Sequence, residues 1–330
     1  MKASDRQRSP IGRCTDVGRI RAANEDSMGD LPIKDGHVLI VADGMGGYRG
    51  GALASHLVVE AIEEYFRDAD IEHPQKALRQ AIYLANERIY LRGQQDEELS
   101  RMGSTCVLAM VQGDLLHLAH VGDSRIYILR DTGQFQQLTR DHTVVQHFVD
   151  VGLLSQEEAK DHPDSHILSR SLGPRAHVEP DVCDAPLQLF PGDRVVLCSD
   201  GLTKMIEEED IESFVQNSAS AQAIAEKLVA AANESGGEDN ITVIVFEYMN
   251  GEGKVVAADN QAQKDIDPLG DTPPFGLPAA DDDGEAILPS AKEKKSSQAQ
   301  DDTPSLSSDS ADNDVDDASA KDANVPDENA

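Results

Sequence analysis

Several aspartates stand where an apolar run of the chain ends or begins. Residues 38–42 are apolar and lead into Asp43, which is followed by glycines. A carboxylate at the buried end of a strand is costly unless it is hydrogen-bonded, paired with a cation or bound to a metal. Taken alone, Asp43 is explained equally well as the cap of a helix that begins near Gly51.

The same arrangement recurs at three more positions. Asp123 and Asp200 each follow an apolar run, and Asp239 stands shortly before another at 241–246. Three strands that leave one edge of a sheet, and a fourth that enters at that edge, would bring the four carboxylates to one rim. Because carboxylates at close range repel each other, cations must neutralise them if they are to stay ionised.

The residue types favour a hard metal ion at this rim. The motifs offer oxygen ligands without histidine or thiolate, which suits Mg²⁺ or Mn²⁺ better than Zn²⁺. Glycine lets the backbone approach closely, so the carbonyl of Gly44 is a further candidate ligand. Two such ions about 3.5 to 4 Å apart lower the pKa of a shared water and direct it at phosphorus. Arg21 would then hold phosphate oxygens in its guanidinium fork, although a solvated loop is the alternative for its segment.

Apolar periodicity outlines the elements that must position these residues. Helical spacing predicts four helices, and alternating or continuous apolar runs predict nine strands. The helices are expected at 51–68, 74–92, 207–216 and 220–234, and the strands at 11–18, 37–43, 104–112, 114–121, 124–130, 134–138, 178–185, 193–199 and 241–248. Short connections within 104–138 predict an antiparallel meander. Residues 141–173 break the pattern and are predicted to form a flap over the sheet, where the substrate would be selected.

The composition indicates a folded domain followed by an acidic tail. The 330 residues carry a formal net charge of −32, and residues 251–330 contain 20 acidic and 6 basic residues. Large apolar residues become rare in this tail, which is therefore predicted to be disordered, with the folded domain at 10–250. The tail is either a solubilising extension or a site for a partner.

Charge and the length of apolar runs also bear on partners and location. The chain has no basic stripe for nucleic acid or anionic lipid. Its apolar runs stay far below the roughly 20 residues that span a bilayer, and its start lacks the apolar core of a secretory signal. Four scattered cysteines without metal-ligand spacing predict reduced thiols. We therefore expect a soluble, cytoplasmic monomer without nucleic-acid or membrane partners.

Six short motifs occur in a fixed order along the chain. They are Arg21-x-x-Asn24-Glu25-Asp26, Asp43-Gly44-Met45-Gly46-Gly47, Gly103-Ser104-Thr105, Gly122-Asp123-Ser124-Arg125, Ser199-Asp200-Gly201 and Asp239-Asn240-Ile241-Thr242. In this order they resemble the motifs of the type 2C metal-dependent Ser/Thr protein phosphatases. The resemblance covers about residues 10–248. It implies an α+β fold, a four-layer α-β-β-α sandwich of two antiparallel sheets flanked by helices.

The resemblance also implies a binuclear metal site. In it Asp43 bridges two Mn²⁺ or Mg²⁺ ions, and the carbonyl of Gly44 with Asp200 and Asp239 completes the site. Asp43 and Asp239 are thus implied to be catalytic. A turn residue or a helix cap is the alternative for each of these acids.

The remaining matched positions are implied to bind phosphate or further metal. Arg21 matches the phosphate-binding arginine, which gives it a catalytic and a substrate-binding role. Glu25 and Asp26 match positions that bind a metal or its waters. Asp123 matches the ligand of a third, more weakly held ion in bacterial members, where a flap residue at about His166 also approaches the substrate site.

The implied function is hydrolysis of phosphoserine and phosphothreonine in proteins. Its expected partners are phosphoproteins, namely a bacterial Ser/Thr kinase and the substrates of that kinase. Met45 stands where many eukaryotic relatives carry a histidine proposed to protonate the leaving alkoxide. This form resembles the bacterial branch and leaves a metal-bound water, a flap histidine or no acid at all for that step. The alternative function is a non-catalytic sensor or scaffold that keeps the phosphatase fold and acts through its acidic tail.

Overall fold

The computed structural model describes residues 9–47, 49–67, 69 and 71–249. The predicted disordered tail at 251–330 lies outside these residues. Within them, no helix is both long enough and apolar enough to cross a membrane.

The described part of the chain forms twelve strands and seven α-helices. The strands are β1 (Ile11–Asp16), β2 (Asp26–Ile33), β3 (Gly36–Met45), β4 (Gly103–Ser104), β5 (Cys106–Gln112), β6 (Leu115–Val121), β7 (Arg125–Leu129), β8 (Phe135–Gln137), β9 (Asp181–Val182), β10 (Leu187–Gln188), β11 (Arg194–Cys198) and β12 (Ile241–Glu247). The helices are α1 (Gly50–Arg67), α2 (Pro74–Gln94), α3 (Val144–Asp150), α4 (Gln156–Lys160), α5 (Asp200–Thr203), α6 (Glu208–Gln216) and α7 (Ala221–Glu234).

The strands form two antiparallel sheets. The larger sheet has the order β10-β6-β5-β3-β2, with β4 paired to the end of β3 and β9 paired to β6. The smaller sheet has the order β1-β12-β11-β7-β8. All neighbouring strands in both sheets run antiparallel.

Three apolar layers hold the two sheets and their helices together. Strand β3 shows how, because its side chains alternate between the two faces of the larger sheet. Val38 and Ile40 pack with α1 and α2, whereas Leu39 and Val41 pack between the sheets. Tyr127 and other residues on the far face of the smaller sheet pack with α6 and α7. The predicted α+β class and the four-layer α-β-β-α sandwich are confirmed.

The predicted meander at 104–138 is wrong at one connection. Strands β5 and β6 form the expected hairpin, but β7 pairs with β11 and β8 in the other sheet. The chain crosses between sheets at Gly122, whose φ of +104° is accessible to glycine. A Cβ atom there would lie 2.6 Å from the side chain of Thr105. The four aspartates therefore meet at one end of a sandwich, and not along the rim of a single sheet.

Two strands were absent from the sequence-based prediction, the two-residue β10 and the longer β2. Strand β2 covers 26–33, and it contains Gly29 and Pro32, which weaken a strand pattern. Pro32 is tolerated because β2 lies at the edge of the larger sheet and pairs on one side only, with β3. The predicted strand at 178–185 shrinks to the two residues of β9. The predicted flap at 141–173 contains α3 and α4, and two isolated bridges hold its ends.

Candidate metal centre

Asp43 and Asp26 form a cross-strand pair at the ends of β3 and β2. The two residues stand directly opposite each other in the antiparallel register. Such partners have Cβ atoms about 5 Å apart on the same face of the sheet, and like charges in that position destabilise it. Asp26 lies on β2, which the apolar pattern did not predict.

The Gly-Ser-Thr motif fixes the backbone of Asp43. The N–H of Asp43 donates to Oγ1 of Thr105 at 3.0 Å, and its carbonyl accepts from the N–H of Thr105 at 2.8 Å and from Oγ of Ser104 at 3.0 Å. Thr105 also shares a hydrogen bond of 2.7 Å with the hydroxyl of Ser124. These buried hydroxyls thus connect Asp43 to the loop that carries Asp123.

Asn240 fixes the segment that carries Arg21 and Glu25. Its Oδ1 accepts from the N–H of Glu25 at 2.7 Å, and its Nδ2 donates to the carbonyls of Val17 and Ala23 at 2.9 and 3.0 Å. Asn240 is buried, so these bonds are shielded from water. The motif pattern included Asn240 but gave no sign of this role, because its partners lie more than 200 residues away in sequence.

Further polar contacts at this end hold Asp239 and Asp26. Asp239 accepts from Nη2 of Arg21 at 2.8 Å and from the N–H of Asn240 at 2.9 Å. Ser199, which precedes Asp200, donates its hydroxyl to Oδ2 of Asp26 at 2.8 Å. The two sheets are therefore joined at this end by polar contacts.

Gly51 leaves room for two candidate ligands at the start of α1. A Cβ atom on this residue would lie 2.0 Å from the carboxylate oxygen Oε2 of Glu25 and 2.9 Å from the carbonyl oxygen of Gly44. Side-chain atoms do not pack at 2.0 Å, so only glycine allows the carboxylate of Glu25 this close to the helix backbone. No spacing rule in the sequence signals this role of Gly51.

The clustered carboxylates resist ionisation. Burial raises the pKa of Asp43 well above its usual range, and the charges of Asp200, Asp26, Asp123 and Asp239 raise it further. Burial raises the pKa of Asp26 to about 7; hydrogen bonds from Thr242 and Ser199 oppose this rise, and nearby acids add to it. The mutual repulsion that the sequence predicts is therefore present in the fold.

Asp123 and Glu25 are affected in the same direction. Burial, followed by the charges of Asp200 and Asp141, raises the pKa of Asp123 to about 8. Burial also raises the pKa of Glu25, although the guanidinium of Arg21 opposes this change. Each of these acids would gain stability as an anion if a cation were placed beside it.

Oxygen atoms without a partner identify where that cation fits. Among the described residues, the Oδ1 atoms of Asp26, Asp123 and Asp200 are buried and have no hydrogen-bond partner. Buried carboxylate oxygens are normally paired, because each lost bond costs free energy. Three orphaned oxygens in one repelling cluster fit the oxygen-only coordination of Mg²⁺ or Mn²⁺.

A cavity of about 550 Å³ adjoins the cluster. Asp123, Asp200 and Lys204 line it, together with Ser165 of the predicted flap. His166 follows Ser165 and is exposed. The contact that was predicted for His166 with the substrate stays a prediction.

A second group of possible ligands lies at His120, His142 and Asp181. One ligand atom from each falls within 4.8 Å of the others. Nδ1 of His142 accepts from the N–H of Gly122 at 3.1 Å, which leaves the proton of the neutral ring on Nε2, 3.2 Å from Oδ2 of Asp181. Arg170 donates to Oδ1 of Asp181 at 2.6 Å. A metal ion here would have to displace both contacts, so we interpret this group as a hydrogen-bonded structural cluster.

The pKa values of this second group agree with that interpretation. Burial lowers the pKa of His120 to about 3 and also lowers that of His142, so both rings are neutral. Although burial opposes it, hydrogen bonds from His142 and Arg170 hold the pKa of Asp181 well below its usual range. The two rings stack with centroids 4.5 Å apart.

The chain is similar in sequence to proteins of a known family. The family model described as "Protein phosphatase 2C" matches residues 20–237. The Serine/threonine phosphatase stp of Listeria welshimeri is 39% identical over 238 residues, which cover 71% of this chain and 93% of that protein. Protein phosphatase PhpP of Streptococcus pneumoniae is 36% identical over 238 residues, covering 71% of this chain and 95% of that protein.

Solved structures give the same result for the fold. The serine/threonine phosphatase PstP/Ppp of Mycobacterium tuberculosis superposes with a TM-score of 0.67 at 35% identity, covering 73% of this chain and 98% of that chain. A structure of the PstP catalytic domain in complex with 2 manganese ions superposes with a TM-score of 0.65 at 34% identity, covering 73% and 98%.

Proposed function

The chain belongs to the protein phosphatase 2C family, as its motifs indicated, and we propose that it hydrolyses phosphoserine and phosphothreonine in proteins at a centre of two Mn²⁺ or Mg²⁺ ions. One observation carries this proposal: the buried, mutually repelling carboxylates around Asp43 include oxygen atoms without a protein partner. The manganese complex of a similar structure supports the choice of metal.

Asp43 is the proposed shared ligand of both ions. The carbonyl of Gly44, Asp200 and Asp239 would complete the site, since all of them lie at the same end of the sandwich as Asp43. When bound, such ions lower the pKa of water and neutralise charge on the phosphate. The protein contributes a rigid placement of the ligands through the buried hydroxyls of Ser104 and Thr105.

The remaining acids are proposed to act beside the two main metal ions. Glu25 and Asp26 would hold a metal or its waters, and Asp123 would hold a third, weaker ion. Asp26 receives a hydrogen bond from Ser199, which orients it. Oriented carboxylates next to metal ligands commonly tune affinity by about 10- to 100-fold.

Arg21 is the proposed phosphate-binding residue. Its side chain is 52% exposed while Nη2 is anchored on Asp239. A guanidinium has five N–H donors in a rigid fork, so an arginine held at one nitrogen can still offer others to phosphate oxygens. The anchor would therefore place the fork beside the metal ligands and reduce the entropy lost when substrate binds.

The test is phosphate release from a phosphothreonine peptide by the purified full chain with Mn²⁺. We expect turnover that EDTA abolishes and that falls by more than about 100-fold in Asp43→Asn and Asp239→Asn. Asp184→Asn, on an exposed aspartate, is the matched control and should retain wild-type turnover. No EDTA-sensitive release from the wild type would refute the proposal.

The proposed physiological partners are a bacterial Ser/Thr kinase and its phosphoprotein substrates, which a monomer would meet in the cytoplasm. The relatives reported above are bacterial phosphatases. Incubation with an autophosphorylated bacterial Ser/Thr kinase should remove its phosphate, with phosphotyrosine peptide as the negative control. Equal release from both substrates would contradict the proposed specificity.

The alternative is a non-catalytic sensor or scaffold that acts through the acidic tail. A sensor would be expected to have lost metal ligands, whereas every acid of the proposed set is present at one end of the sandwich. We propose 10–250 as the catalytic domain. Turnover of residues 1–250 equal to that of the full chain would support this boundary, whereas turnover that requires 251–330 would contradict it.

A further inference from the structure

Lys204 places a positive charge at the proposed metal ligands. It follows the short helix α5 and forms an ion pair through Nζ with Oδ2 of Asp200, four residues earlier. Asp200 is one of the proposed ligands, and its other oxygen, Oδ1, is buried without a hydrogen-bond partner. The protein therefore supplies its own cation to a carboxylate that the proposed function gives to a metal.

The charge of Lys204 also reaches the neighbouring acids. Lys204 lines the same cavity as Asp123 and Asp200. Although burial lowers it, the charges of Asp200, Asp123 and Asp239 raise the pKa of Lys204 well above its usual range. In return, the ammonium of Lys204 opposes the rise in the pKa of Asp123. Lys204 is thus paired with Asp200 and also acts through its charge on Asp123 and Asp239.

One ammonium cannot satisfy the acids that surround it. Asp123 is 7% exposed and keeps a buried Oδ1 without a partner, as Asp200 does. A divalent ion placed between these two carboxylates would meet the ammonium at short range. At about 4 Å, a divalent and a monovalent cation repel by about 2 kcal/mol in water and by more near a protein. The ion and the lysine therefore compete through their charges for the same two carboxylates.

The side chain of Lys204 is able to leave. It is 42% exposed, and lysine carries its charge on a flexible four-carbon stem. An arginine or a buried lysine would be harder to displace. The exchange thus costs the ion pair but does not require the fold to open.

We propose that the ammonium of Lys204 competes with a divalent cation for Asp123 and Asp200 and so sets a weak affinity for the ion bound between them. This inference rests on the proposed metal centre and goes beyond it, because it assigns a residue outside the ligand set to control of metal occupancy. The chain would then bind its last ion only at high metal concentration.

The experiment measures Mn²⁺ binding to the full-length protein by electron paramagnetic resonance of free Mn²⁺, without substrate. In Lys204→Gln, the dissociation constant of the weakest site should fall by roughly twofold to fivefold, the size expected for a partly exposed ion pair. Lys204→Arg keeps the charge and should keep weak binding. An unchanged dissociation constant in Lys204→Gln would overturn the proposal, and so would equal tightening in both variants.

Lys227→Gln provides the matched control for net charge. This lysine on α7 donates to Ser218 at 3.3 Å, and its removal should leave the Mn²⁺ titration unchanged. Equal tightening in Lys227→Gln would show a general charge effect and overturn the proposal. The proposed metal centre fails separately: in that case the wild type binds no Mn²⁺, or Asp43→Asn binds as many ions as the wild type. Thermal denaturation of each variant in EDTA verifies that it is folded.

Discussion

Two buried polar clusters of the described residues, one around His142 and Asp181 and one around Asp43, are built in opposite ways. Around His142 and Asp181, donors and acceptors face each other, with Arg170 supplying the balancing charge. Around Asp43, carboxylates face carboxylates, and oxygens of Asp26 and other acids have no protein partner. A cluster whose charges are balanced within the chain stabilises the fold. One in which like charges face each other gains stability from a cation supplied from outside the chain.

The clusters meet at Gly122. Both the N–H and the carbonyl of Gly122 bond to His142, the first at Nδ1 and the second at the backbone N–H, 3.0 Å away. The next residue is Asp123, which belongs to the other cluster. The charge-balanced group around His142 therefore holds the loop that carries Asp123 of the carboxylate cluster, and rigid support of this kind is what a metal site requires.

The largest expected effect is stabilisation by metal. A ligand that binds only the folded state stabilises it by about 4 kcal/mol at a thousandfold excess over its dissociation constant. We expect Mn²⁺ to raise the melting temperature of the wild type strongly, and that of Asp43→Asn far less. Calorimetry with and without EDTA measures this. An equal rise in both proteins would mean that the metal stabilises some other site, and the comparison would fail.

Asp181→Asn should produce the next largest effect, in the other cluster. The substitution leaves the guanidinium of Arg170 without its counter-ion and weakens the contact to His142, so the free energy of unfolding should fall by about 3 kcal/mol. The loss should be the same in Mn²⁺ and in EDTA. Urea denaturation measures it, and Asp184→Asn should stay within about 0.5 kcal/mol of the wild type. A loss seen only in Mn²⁺ would make Asp181 a metal ligand.

The features that could be predicted are those whose pattern lies within a short stretch of the sequence. The run 38–42 ending in Asp43 predicted a buried strand and a costly carboxylate, and both are present. Strand β2 was missed because Gly29 and Pro32 interrupt its strand pattern. Proline is compatible with an edge strand, but the edge position of β2 is known only once the sheet is assembled.

Other features depended on contacts that are distant in sequence. A connection of two or three residues near Gly122 is locally identical whether the next strand returns to its own sheet or crosses to the other. Only the pairing of β7 with β11 distinguishes them. The support that Asn240 gives to Glu25, and the room that Gly51 leaves, likewise require the folded chain.

Acid should weaken the cluster of His120, His142 and Asp181. His120 has a pKa of about 3 in the fold, against about 6.5 in an unfolded chain, so the unfolded state binds more protons between these values. Stability from His120 is therefore complete above pH 7 and falls as the pH drops. The groups that face it are His142, Asp181, Arg170 and the carbonyl of Arg140.

His120→Gln isolates this contribution, because the carboxylate cluster is common to both proteins. Between pH 7 and pH 5 in EDTA, the wild type should lose about 2 kcal/mol more than the variant in urea denaturation. Gln keeps a donor for the carbonyl of Arg140, so packing and not hydrogen bonding is the main perturbation. Parallel pH profiles for the two proteins would show that His120 is not held neutral by burial.

The smallest expected effect comes from Ser199, whose hydroxyl is a protein donor to the carboxylate cluster. It donates a hydrogen bond to Asp26 and accepts one from the N–H of Thr242 at 3.0 Å. Ser199→Ala should lower the free energy of unfolding in EDTA by about 1 kcal/mol, since a carboxylate loses a donor and a backbone N–H loses an acceptor. Ser218→Ala is the comparison at a hydroxyl remote from the acids. A gain in stability for Ser199→Ala would mean that Asp26 does not accept this hydrogen bond as a carboxylate. The contrast between repelling carboxylates around Asp43 and balanced charges around His142 would then be wrong.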